Sequence, residues 1–236
     1  MTTTRDEFIF GEAIQQTHRI FKENDVNQNL TDLIFVVDRS GSMESCQKEA
    51  ETGLNKIVDD QKNEEGDCNF TLVQFDTEYE VVHDGVPIKD VPHIPLVPRG
   101  MTALNDAVGQ AINTVGERLG KMDEADRPGL VTLVIVTDGG ENASQEFSRQ
   151  QVHDMIKTQE ETYNWKVIYL GANQDAFKES AQIGIAQGSS ANYKTRNTAK
   201  ALKMMSSKVS SMRHSVSQGG EACCSFSADE RTALEE

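Results

Sequence analysis

Long apolar runs are what this 236-residue sequence lacks most. No stretch approaches the roughly 18 consecutive apolar residues that a membrane-spanning helix needs. The opening MTTTRDEFIFGEAIQQTHRI has no uninterrupted apolar segment behind a basic start, so no secretory leader is read there and a cytoplasmic chain is expected. Basic residues are also scarce: 23 Lys and Arg against 38 Asp and Glu leave a net charge of −15. Such a chain repels phosphate backbones and anionic lipid, so neither nucleic acid nor membrane is expected as a partner, while cations and basic proteins are favoured. Cysteine is limited to Cys46 and Cys68, inside apparent core elements, and the neighbours Cys223 and Cys224 in a polar stretch; none has zinc-ribbon spacing, and reduced thiols are the plain reading. The sequence has no G-x-x-x-x-G-K-[ST] loop, no G-x-G-x-x-G after a strand and no H-E-x-x-H, so the usual phosphate cradles and the zinc-protease helix are missing. Its five histidines, His18, His83, His93, His153 and His214, lie on dispersed segments, and His153 with Asp154 is only a neighbour pair.

What apolar content there is comes in short, well-placed runs. TDLIFVVD is nearly continuous and reads as a strand buried on both faces of a parallel sheet, and GLVTLVIVTDGG reads the same way. Between Glu44 and Asn63 the residues Cys46, Ala50, Leu54, Ile57 and Val58 recur at helical spacing. NFTLVQFD and YEVVH, a few polar residues apart, predict a hairpin and so an antiparallel edge strand. Four of the five prolines fall in DGVPIKDVPHIPLVPRG, which excludes a helix and predicts an irregular crossing segment. Leu104, Val108, Ala111, Val115 and Leu119 then mark a helix beginning near Thr102, and a helix over about 148–161, a strand WKVIYLG and a helix from near Asn173 continue the alternation. The expected fold is α/β: a doubly wound, Rossmann-like, mostly parallel sheet with one antiparallel edge strand and helices on both faces. The expected organisation is an N-terminal arm with a short helix (1–30), the α/β domain (31–187), an amphipathic helix carrying Leu202, Met205, Val209, Met212 and Val216 (188–217), packed by default on its own core, and a flexible tail (218–236).

The chemistry concentrates at strand ends. In an open α/β sheet ligands bind outside the carboxyl ends of the strands. The two strongest strands end in Asp38 and Asp138, and the helix near Thr102 starts at the same edge. Asp38, Ser40, Ser42, Thr102 and Asp138 therefore converge and offer oxygen only: two carboxylates and three hydroxyls. That set suits a hard cation, Mg²⁺ first and Mn²⁺ second, and offers no nitrogen or sulfur to zinc or copper. The side chains of Ser40 and Ser42, two apart in a tight loop, can turn the same way, and Gly41 lets the loop bend.

DRSGSM, GMTALNDAV and VTDGGEN together resemble the three segments of the metal-ion-dependent adhesion site (MIDAS) of von Willebrand factor type A (vWA) domains, with all five positions filled over residues 31–187. LVQFD, VPRGMTAL and LGANQDA extend the likeness to small bacterial and phage proteins that consist of little besides this domain. The resemblance implies that Ser40, Ser42 and Thr102 ligate through hydroxyls, that Asp38 and Asp138 bind directly or through water, and that a partner protein's carboxylate completes the metal shell. It also implies a recognition module rather than an enzyme, in the cytoplasm of a bacterium or a phage-infected host. Arg39, Met101, Asn105, Glu141 and Asn142 fall near the rim, where a solvated-loop role is the simpler reading for any one of them. Competing readings are a Mg²⁺-dependent phosphoryl-transfer enzyme, a virion or assembly component that makes contact through its Met-rich terminal helix, and an adaptor of an ATPase complex.

Overall fold

An apolar run buried on both faces must be a central strand, and β1 (Asn27–Asp38) is one: its last eight residues are all buried. In the computed structural model, which describes residues 26–172 and 176–236, β1 lies in the middle of a six-stranded sheet. It pairs in parallel with β2 (Asp67–Phe75) on one side and β4 (Pro128–Thr137) on the other. β5 (Lys166–Ala172) and β6 (Ser190–Tyr193) continue the parallel sheet beyond β4, and β3 (Tyr79–Pro87) closes the opposite edge antiparallel to β2, as the hairpin pattern predicts. The order β3-β2-β1-β4-β5-β6 winds outward in both directions from the β1/β4 pair. The switch point, where successive crossovers part and leave a crevice, therefore lies between the carboxyl ends of β1 and β4.

Alternation along β1 divides the core into two layers. Leu33, Phe35 and Val37 point to one face, covered by α1 (Gln47–Lys62) and α5 (Thr198–Ser217); Ile34 and Val36 point to the other, covered by α2 (Leu104–Gly120), α3 (Arg149–Tyr163) and α4 (Ala176–Gln182). The stripe Leu202, Met205, Val209, Met212 and Val216 on α5 is buried in the first layer against the chain's own sheet and α1. Contact there is close: a Cβ on Gly53 of α1 would lie 2.5 Å from Leu202 Cδ1 and 2.9 Å from its Cβ. The proline-rich segment crosses the same face irregularly, with Ile94 and Leu96 buried. Burial pushes the Cys46 thiol to about 11 and that of Cys68 to about 12, so both act as small apolar core residues rather than reactive thiols.

Three features differ from the sequence reading. The sheet does not end at 187: SANY forms the short sixth strand β6, too short and polar for its period to be visible. The stretch expected to be a loose tail is packed. Ser227 and Glu230 form a capping box that starts α6 (Ala228–Glu235), and Phe226 and Leu234 are buried in the first layer, so two apolar anchors hold a segment whose composition is otherwise polar. The chain after Ser40 first makes a 3-10 turn, Gly41–Cys46, and the α-helix begins only at Gln47. The expected N-terminal helix lies outside the described residues, as does the expected helix start near Asn173, immediately before α4; β1 itself begins at Asn27, four residues ahead of the expected boundary.

Candidate metal centre

Each proposed ligand is placed by a strand end or a helix start. Asp38 closes β1 and is fully buried; the chain then folds back so that the Ser40 amide donates to Asp38 Oδ1 at 2.6 Å. Ser40 Oγ lies 3.0 Å from Ser42 Oγ, and Ser42 Oγ donates to Asp138 Oδ1 at 2.6 Å, which ties the first loop to the residue after β4. Thr102 stands two residues before α2, and Gly139 locates it: a Cβ on that glycine would lie 3.2 Å from Thr102 Oγ1, 3.6 Å from Ser42 Oγ and 4.0 Å from Asp38 Oδ2. Oxygens from Asp38, Ser42 and Thr102 thus surround one small space, and Ser40 and Asp138 are hydrogen-bonded to Ser42 at its edge. All five residues are brought together at the switch point.

The loops that carry them are bound to one another. Gly41 N donates to Gly100 O at 3.2 Å and Arg99 N to Arg39 O at 2.8 Å. Asp76, just beyond β2 and buried, accepts from Arg39 Nε and Arg99 Nε, both at 2.8 Å, while its carbonyl accepts from Ala103 N. One residue therefore holds the segments on either side of the crevice, next to Ser40 and next to Thr102. On the third loop, Asn142 Oδ1 accepts from Thr102 N, and Thr102 O accepts from the amides of Asn142 and Ala143. Glu141 accepts from the amides of Asn105, Ala143 and Ser144, and Asp106 from those of Gln145, Glu146 and Phe147. Of the five residues expected near the rim, Met101 and Asn142 are exposed, Glu141 is partly exposed, and Arg39 and Asn105 are buried. Asp76, Asp106, Thr137 and Gly139 were not singled out by sequence reasoning. Asp76 ends LVQFD after a strand, just as Asp38 ends LIFVVD, and that parallel was the available signal.

The electrostatics match the donor set. Burial pushes Asp38 up to about 6, against hydrogen bonds from Thr137 and Ser40 that favour its charged form, and the neighbouring Asp138 pushes the same way as burial. Burial likewise raises Asp138 above the ordinary carboxylate value, opposed by the bond from Ser42. Among the described residues no basic side chain forms an ion pair with either carboxylate. A cation placed among them would supply the missing positive charge. No cluster of three or more His, Cys, Asp or Glu side chains suited to a metal exists among the described residues, so any site here must use the hydroxyls as well. Two carboxylates and three hydroxyls around a space bordered by Gly139 fit a small hard cation.

The von Willebrand factor type A domain family matches residues 32–208, and the chain belongs to that family. Solved structures share the fold at low identity. Proximal thread matrix protein 1 of the mussel byssus is 16% identical with a TM-score of 0.56, the match covering 77% of this chain and 46% of that one. A von Willebrand factor type A protein from Catenulispora acidiphila is 14% identical with a TM-score of 0.56 over 75% and 42% of the two chains. The pilus adhesin SpaC from Lactobacillus rhamnosus GG, in its open conformation, is 13% identical with a TM-score of 0.58 over 76% and 30%. This chain spans less than half the length of each. A further structure of the mussel protein has a zinc-occupied MIDAS motif. No curated protein matches the sequence.

Proposed function

We propose that this vWA domain is a cation-dependent protein-interaction module. In this reading Asp38, Ser40, Ser42, Thr102 and Asp138 hold Mg²⁺, with Mn²⁺ as the alternative, and the site takes an Asp or Glu side chain from a partner protein. The observation that carries it is the convergence of these oxygens on the space beside Gly139. Three of the five ligand groups are neutral hydroxyls, so a divalent ion held by them keeps positive charge for an outside carboxylate. The chain's own residues orient the site: Thr137 fixes Asp38 through a 2.6 Å bond to Oδ2, and Asn142 fixes the backbone of Thr102. A non-enzymatic role agrees with a sequence free of phosphate-cradling loops and with a His153–Asp154 pair that stands on the surface of α3. Scaffolding through the terminal helix is disfavoured because the apolar stripe of α5 is already used inside the domain. The cytoplasm of a bacterium or a phage-infected host is the setting proposed.

Calorimetric titration of Mg²⁺, Mn²⁺ and Zn²⁺ into the wild type and an Asp38→Ala variant tests the reading. One saturable Mg²⁺ site in the wild type and none in the variant is the expected result. Equal Mg²⁺ binding by both would overturn the ligand assignment. A site filled by Zn²⁺ but not by Mg²⁺ or Mn²⁺ would overturn the choice of ion.

A further inference from the structure

A groove of about 1030 Å³ lies at the opposite edge of the sheet from the metal centre, between α2 and α3 and beside the amino ends of β4 and β5. Its apolar lining is Ile112, Leu119, Val131, Met155, Tyr163 and Trp165, and Tyr163 is 59% exposed. Gly116, inside α2, forms part of the same wall. Glycine is among the least favoured residues in a helix interior, and Gly53 and Gly109 each have a packing reason for it: a Cβ on Gly53 would meet Leu202, and one on Gly109 would lie 2.7 Å from the Phe147 ring. At Gly116 a Cβ would meet nothing within 4 Å among the described residues. An apolar groove with bare helix backbone in its wall is shaped to receive a side chain that packs close to α2.

The chain itself enters by way of this groove. Val26 lines it, and the residue that follows is fixed there: Asn27 N donates at 2.8 Å to the carbonyl of Arg127, another lining residue. Immediately upstream the sequence reads AIQQTHRIFKEND, with Ile14, Ile20 and Phe21 as its large apolar residues. Phe21 is five residues from Val26, a span of at most about 18 Å. The tether therefore holds it near the groove at a local concentration of roughly millimolar. Charge agrees: the lining carries three carboxylates, Glu117, Glu124 and Asp154, against one arginine, Arg127, while residues 17–22 carry His18, Arg19 and Lys22 and no acid. We propose that the groove between α2 and α3 is the docking site of the chain's own N-terminal segment, with Ile20 and Phe21 seated over Gly116 against the apolar lining. Such docking leaves the carboxyl ends of β1 and β4 free, so the inference stands independently of the metal-centre reading.

Limited trypsin digestion of the full chain, read by mass spectrometry, tests the proposal, because Arg19 and Lys22 bracket the two anchors. The wild type is compared with Gly116→Leu, which fills the groove from a position where a Cβ meets nothing, and cleavage after Arg5 calibrates the protease. Cleavage after Arg19 and Lys22 should be about tenfold slower in the wild type, the factor expected when burial of one large apolar side chain sets the docked population. A second variant, Ile20→Ser/Phe21→Ser, changes only residues that precede β1. With 5-fluorotryptophan at Trp165, the chain's single tryptophan, its one ¹⁹F resonance should move away from the wild-type position. Equal cleavage in wild type and Gly116→Leu, or a resonance unmoved by the double variant, overturns the proposal. Protection lost on dilution, together with a halving of the sedimenting mass, would give the groove to the segment of a second copy and overturn docking within one chain.

Discussion

Gly139 shows how much a single missing methyl group decides. Its φ is not left-handed, so its backbone is open to any residue, and what calls for glycine is the close approach of Thr102, Ser42 and Asp38. Gly139→Ala should therefore leave the melting temperature nearly unchanged while weakening Mg²⁺ binding tenfold or more by rough estimate, as read by calorimetry; unchanged affinity would mean the cation sits elsewhere. Asp76 is the other decisive residue. Burial alone would raise its pKa, but bonds from Arg99, the Glu78 amide and Arg39 hold it below its ordinary value of 3.8. A carboxylate depressed in the folded state stabilises the fold fully above its unfolded pKa, and that contribution is lost as pH falls through the lower folded value. Asp76→Asn should accordingly lie below the wild type in denaturant midpoint at neutral pH, with the gap closing below about pH 4; a gap that persists in acid would show that the loss is one of packing rather than charge. Asp76 left one signal in the sequence, the aspartate that ends LVQFD as Asp38 ends LIFVVD, whereas Gly139 left none. Gly139 is one of two adjacent glycines after Asp138, and nothing in the sequence distinguishes a glycine needed for close approach from one needed for a turn.

At the level of elements, the contact of α1 with α5 sets a conflict between propensity and packing. Alanine is favoured over glycine in a helix by about 1 kcal/mol, yet a Cβ at position 53 would meet the Leu202 Cβ, which cannot move without its helix. Overpacking of this kind costs about 1–3 kcal/mol, so Gly53→Ala should destabilise the protein on balance, and a rise in denaturant midpoint would contradict the close approach of Leu202 to position 53. Long periodic elements were readable because their pattern is the physical requirement for burial: β1, β4, α1, α2 and α5 follow directly from their apolar spacing. β6 and α6 were not readable for the opposite reason. Each is short, and α6 is held by Phe226, Leu234 and a capping box rather than by a stripe. The box, Ser227 with Glu230, was present in the sequence as a start signal without a following apolar run to support it.

For the whole molecule, the strand order explains why residues 100 positions apart in sequence form one site: β1 and β4 are neighbours at the switch point, so whatever follows each strand faces the same crevice. That much could be argued from the sequence, because two buried strands each ended in aspartate and the intervening helix began with a hydroxyl. The bonds that preorganise the crevice could not: Asp76 acts through the Arg39 and Arg99 guanidiniums and the Ala103 amide, and Asn142, Glu141 and Asp106 through backbone amides, groups whose positions only the folded chain defines. The most direct measurement of the central claim is thermal unfolding of the full chain in EDTA and across a Mg²⁺ series, with Asp38→Ala alongside. Ligand that binds only the folded state at 100 times its dissociation constant adds about 2.7 kcal/mol, or roughly 5–10 °C for a chain of this size. A Mg²⁺-dependent rise of that order in the wild type and none in the variant is the predicted result. A wild-type curve that is the same in EDTA and in saturating Mg²⁺, or a variant that shifts as much as the wild type, would contradict it.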